Sequence, residues 1–95
     1  MNKETSISDD KMNEIYKIIG QNVARIRKEK GMSQLALSLA IGHKAVGTIS
    51  MSELCIKNKH FNIEHLVKIA DVLGVSVNDF FEGVWKYYKL KYLYY

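Results

Sequence analysis

Three glycines, Gly31, Gly42 and Gly74, each close a stretch of periodic apolar residues, and Ser33, Asn62 and Ser76 stand where later stretches begin. With no proline anywhere in the chain, this punctuation predicts a succession of short helices. Asp9 or Asp10 caps the first, which runs to Lys30 with Met12, Ile15, Ile19, Val23 and Ile26 at three-to-four spacing. Gly20 weakens its middle by about 1 kcal/mol relative to Ala, leaving open a kink or a separate N-terminal helix there. Ser33 caps a second helix from Gln34 to Ile41. Its Leu35, Leu37, Leu39 and Ile41 alternate as in a strand, but the cap, the alanines and the glycine stop favour a helix that is apolar on two sides.

A third helix is predicted from Lys44 to Leu54, with Ala45, Val46, Ile49 and Glu53 on one face and Lys44, Gly47, Thr48 and Met51 on the other. A basic loop, Ile56 to Phe61, follows. Asn62 caps a fourth helix, Ile63 to Leu73, with Leu66, Ile69, Ala70 and Leu73 inward. Ser76 and Asp79 form a capping-box-like start for a fifth short helix carrying Val77, Phe80 and Phe81. The fold class is therefore all-α, five helices with no clear sheet in residues 11–82. Residues 1–10 read as a flexible N-terminus, 11–83 as the helical domain and 84–95 as a tail.

At 95 residues the chain has room for one small domain and a tail. Its 47% hydrophobic and 25% charged residues are those of an ordinary globular protein. The single cysteine, Cys55, has no disulfide partner within the chain and reads as a small half-buried residue. His43, His60 and His65 are too scattered for a metal site, so no metal and no cofactor is expected. There is no paired-carboxylate, Ser-His or phosphate-cradling glycine arrangement, and the chain reads as non-enzymatic. Apolar runs are short and the N-terminus lacks an apolar core segment, which points away from export or a membrane and toward a cytoplasmic location.

Charge is unevenly placed. Residues 11–60 hold nine Lys/Arg against three Asp/Glu, whereas 61–83 hold one against four. A basic half joined to an acidic half suits a surface that meets phosphates on one side.

The run RIRKEKGMSQLALSLAIG, then TISMSEL, then FNIEHLVKIADVLGVSVNDFF resembles the Cro and phage-repressor helix-turn-helix family, also called XRE, over roughly residues 19–82. The resemblance implies a five-helix lambda-repressor-like domain. Its first short helix lies across the sugar-phosphate backbone, and its second enters a major groove about 12 Å wide. It further implies that Gln34 contacts a phosphate and braces a recognition-helix residue. Lys44, Gly47, Thr48 and Met51 would face the groove, and Lys57, Asn58 and Lys59 would touch the backbone. Arg27 and Glu53 would pair across the first and third helices, a geometric brace more than a source of stability.

Two departures stand out. Within His43 to Gly47 the chain carries one residue more than the family's usual turn. The groove-facing set also lacks Arg, Asn and Gln. Lys44 would read guanine and Thr48 or Met51 a thymine methyl, with much of the selectivity left to DNA shape.

Six of the ten aromatic residues lie in the last eleven positions, in VWKYYKLKYLYY. Trp85, Tyr88, Tyr92 and Tyr95 follow the spacing of a helical seam, with a strand as the competing assignment. Such a strip pairs two subunits, folds back on its own core, receives another protein or stays disordered. The expected function is a transcriptional regulator, a repressor, binding operator DNA as a homodimer. Its rivals are the antitoxin of a toxin–antitoxin pair and a protein-interaction module of the same fold without DNA binding.

Overall fold

The computed structural model describes residues 4–42 and 46–87. Among these residues four α-helices, α1 (Asp9–Glu29), α2 (Gln34–Ala40), α3 (Val46–Leu54) and α4 (Ile63–Leu73), are followed by two short 3-10 helices, Val77–Phe81 and Val84–Tyr87. No strand is present among the described residues. The long α1 is the spine. It packs against α3 and both 3-10 helices, while α2 lies on α3 and α4.

Ser8, not Asp9 or Asp10, caps α1, its Oγ accepting from the Lys11 N–H at 3.1 Å. The two aspartates sit inside the first turn and Arg27 and Lys28 in the last, the placement that suits the helix dipole. α1 stops at Glu29 and leaves through a Schellman turn, in which Gly31 donates to Lys28 O and Met32 to Arg27 O. Gly31 has φ +70°, where a side chain is disfavoured.

Gly20 neither kinks nor divides α1, which is one continuous helix of 21 residues. It marks a close approach instead. A Cβ at this position would lie 2.5 Å from Glu53 O and 2.6 Å from Ser52 O.

Ile15, Ile19, Val23 and Ile26 of α1 join Leu37, Ile41, Ile49, Phe61, Leu66, Ile69, Ala70, Leu73 and Phe80 in one buried core. In α2 the alternation splits as a helix splits it, with Leu37 buried while Leu35 and Leu39 are 57% and 65% exposed. The fifth helix is a 3-10 helix, and Ser76 Oγ accepts from the Asn78 N–H, one residue earlier than a capping box requires. Val84, which the sequence placed in the tail, is 5% exposed and part of the core. Asn22 on α1 ties this C-terminal segment down, its Nδ2 donating to Phe80 O at 2.8 Å and Glu82 O at 2.9 Å. Among the described residues no helix is long and apolar enough to cross a membrane.

Candidate nucleic-acid interface

The geometry of the site starts at the end of α1. Arg27 is buried and donates from each of its three guanidinium nitrogens. Its Nε donates to Glu53 Oε2 at 2.7 Å, its Nη2 to Glu53 Oε1 at 3.0 Å and its Nη1 to the Met32 carbonyl at 2.9 Å. Glu53 is buried near the end of α3, so the pair is bidentate and shielded from water. Gln34, the first residue of α2, adds a third member, its Nε2 donating to Glu53 Oε1 at 2.8 Å. One carboxylate therefore takes three N–H bonds, from α1 and α2, and fixes α3 against both. Taking two charges out of water offsets much of their attraction, so the product of this cluster is orientation more than stability.

Ser33 sets the start of α2, its Oγ accepting from the Ala36 N–H at 3.0 Å. Gly42, with φ +83°, ends it. Residues 43–45, and with them Lys44 and Ala45, lie outside the described residues. α3 turns Ile49, Ser52 and Glu53 into the body. Val46, expected inward, is 39% exposed, and Ser52 takes the buried place. A small residue belongs there, because this is the stretch of α3 that α1 approaches through Gly20.

Gly47, Thr48 and Met51 are each half-buried. A Cβ on Gly47 would sit 3.7 Å from the Met51 Cε, so these two positions share one face one turn apart.

The loop after α3 has a backbone that its composition does not announce. Cys55, Lys57 and Asn58 have φ of +55°, +53° and +58°. Cys55 occupies the place Gly31 holds after α1: its N–H donates to Ser52 O at 3.3 Å, and the Ile56 N–H to Met51 O at 3.1 Å. Lys57 and Asn58 are the central residues of a turn closed by the Lys59 N–H on Ile56 O at 2.9 Å. Lys57, Asn58 and Lys59 are all exposed. His60 then lays its ring on Tyr16 of α1, with centroids 3.6 Å apart and planes 11° apart. Sequence reasoning found neither this stack nor the left-handed cysteine.

Arg25, about a turn before the end of α1, is differently engaged. It pairs with Glu29 and Glu82 on the surface, at 3.2 and 3.1 Å. Of the expected association residues, Trp85 is 50% exposed, and Tyr88, Tyr92 and Tyr95 lie outside the described residues. Among the described residues, no group of three or more His, Cys, Asp or Glu is placed to hold a metal ion.

Two successive short helices, α2 and α3, the second braced by a buried ion pair and followed by an exposed basic loop, are the arrangement of a helix-turn-helix domain. A helix-turn-helix family model, of the Cro and phage-repressor (XRE) type, matches residues 23–80. The chain belongs to that family of DNA-binding regulators. Neither a curated protein sequence nor a solved structure gives a significant match. The family match begins inside α1, so Tyr16, Gly20 and Asn22 all lie ahead of it.

Proposed function

We propose that the chain is a sequence-specific transcriptional regulator that represses by covering operator DNA in the cytoplasm. In this reading α3 enters the major groove with Lys44, Gly47, Thr48 and Met51 toward the bases. Gln34 and the loop residues Lys57, Asn58 and Lys59 meet the sugar-phosphate backbone. The observation that carries the reading is the division of α3. Glu53 is held by Arg27 and Gln34, while Gly47, Thr48 and Met51 keep part of their surface in solvent beside an exposed basic loop.

A single such unit covers one half-site, and joining two raises the effective concentration of the second on DNA. The protein therefore acts as a homodimer on a partly palindromic operator, with the aromatic strip from Trp85 to Tyr95 as the association element. Titration of a duplex from its own upstream region at several salt concentrations tests this. With about 4–5 phosphates engaged per subunit, a dimer gives a log–log salt slope of about −7 to −9. An affinity that does not change with salt overturns it, and sedimentation showing a monomer at high concentration overturns the dimer alone.

One observation favours a second reading. Leu35 and Leu39 present two large apolar side chains from the same exposed face of α2. A protein partner seated there would make the chain an antitoxin-like or purely protein-binding member of the family. Co-purification of a stoichiometric partner, lost with Leu35→Gln and Leu39→Gln, separates that reading from the first.

A further inference from the structure

The loop that carries Lys57, Asn58 and Lys59 holds its shape against the backbone preferences of Cys55 and Lys57. Three of the four residues from Cys55 to Asn58 have positive φ, and none of the three is glycine. Such conformations persist where surrounding structure over-determines them. At the loop's entry the two Schellman bonds supply that constraint. At its exit Phe61 is buried in the core, and Asn62 and His65 exchange the bonds of a capping box. The middle is different. The Lys59 to Ile56 bond closes the turn on itself and does not fix the turn to the body.

From the middle of the loop, His60 reaches the body through its stack on Tyr16. Around that stack the loop is separated from α1 by an open cavity of about 300 Å³, lined by Asn13, Glu14 and Lys17 on one side and Cys55 and Asn58 on the other. The Tyr16–His60 pair spans the gap as a strut.

We propose that Tyr16 is a positioning residue for DNA binding: stacked on His60, it holds Lys57, Asn58 and Lys59 in the conformation that presents them to phosphate. Tyr16 touches no DNA itself, and it lies seven residues ahead of the start of the family match at residue 23. The proposal rests on the DNA-binding reading above, and its test therefore has one arm that needs no DNA.

The DNA-free arm is tryptic cleavage of the full chain after Lys57 and Lys59, with cleavage after Lys28 and Lys30 as the measure of general opening. A stacked aromatic pair sets an equilibrium of roughly 2- to 10-fold. Tyr16→Ala should therefore speed cleavage at Lys57 and Lys59 by about that factor over the change at Lys28 and Lys30. Tyr16→Phe, which keeps the ring, should not. In the DNA arm, Tyr16→Ala should weaken binding to all duplexes alike and make the salt slope shallower by about 1 per subunit, again with Tyr16→Phe unchanged.

Equal acceleration at all four lysines overturns the strut. Faster loop cleavage with an unaltered salt slope overturns the link from strut to DNA. A wild-type chain without salt-dependent affinity removes the DNA-binding reading, and the cleavage arm still decides whether Tyr16 holds the loop.

Discussion

The two faces of α3 are built on opposite terms. Toward the body, Ile49, Ser52 and Glu53 are buried, the Glu53 carboxylate takes three N–H bonds, and Gly20 lets the backbone of α1 come against the carbonyls of Ser52 and Glu53. Away from the body, Gly47, Thr48 and Met51 are partly solvated, and Gly47 has room for a methyl group. In the proposed docking, a helix held this way is positioned by the face that does not read, and its other face is free to change composition without disturbing the fold.

The strongest way to break that comparison is to remove a charge from the inner face. Arg27→Ala leaves Glu53 buried with Gln34 as its remaining side-chain donor. Breaking a buried pair in this way costs about 3–5 kcal/mol, whereas Lys28→Ala, one residue on and exposed, should stay within about 0.5 kcal/mol of wild type. Urea melts of the two variants decide it, and equal midpoints would show that the pair holds nothing. The double change Arg27→Met with Glu53→Leu sharpens the point, since an apolar pair of similar size is often neutral or better. Recovery of stability in that variant with loss of DNA affinity would show that the pair supplies orientation.

Gly20 comes next. By helix propensity alone Gly20→Ala should gain about 1 kcal/mol. The new Cβ would instead meet two carbonyl oxygens at 2.5 and 2.6 Å, so α1 and α3 must part, and we expect a net loss of about 1–3 kcal/mol. A raised melting temperature would mean that the two helices can slide apart freely.

These two residues mark the boundary of what was legible. Helix ends signalled by neighbouring residues were readable: Gly31, Gly42 and Gly74 all have positive φ where the sequence placed stops. The two-sided character of α2 was readable too, once its alternation was laid on a helix. The pairing of Arg27 with Glu53 follows from the family resemblance, and no local pattern supplies it. Gly20 was visible only as a weak point, because a backbone approach between residues 33 positions apart leaves no periodic trace. Ser52 was missed for the same reason, since a hydroxyl at an inward position looks like an error until its crowded surroundings are known. The Tyr16–His60 stack joins a half-buried helix residue to a loop and follows no spacing rule.

Cys55 offers a smaller test, at the end of the inner face. Its φ of +55° suits glycine, which stands at the matching position after α1 and α4. A left-handed conformation costs an ordinary residue about 1–2 kcal/mol, and glycine's greater unfolded-state freedom takes back part of any relief. Cys55→Gly should therefore stabilise the domain by about 0.5–1 kcal/mol in a thermal melt, with DNA affinity unchanged. A destabilised variant would show that the half-buried thiol packs well enough to outweigh its backbone.

The smallest effect on stability is expected on the outer face, and there the comparison meets function. Thr48→Ala and Met51→Ala remove side chains that are half-buried at most, and each should shift stability by no more than about 0.5 kcal/mol. Both residues face the groove in the proposed docking, where a methyl or thioether against a thymine methyl is the available contact. Each truncation should therefore reorder the preference among duplexes. Lys57→Ala and Lys59→Ala carry the opposite signature, because phosphates are the same in every sequence. They should weaken all duplexes by a similar factor and each reduce the salt slope by about 1 per subunit. Competition binding against a randomised duplex pool reads both effects at once. A ranking left intact by Thr48→Ala and Met51→Ala would mean that a different face of α3 meets the bases, or that selectivity resides wholly in DNA shape.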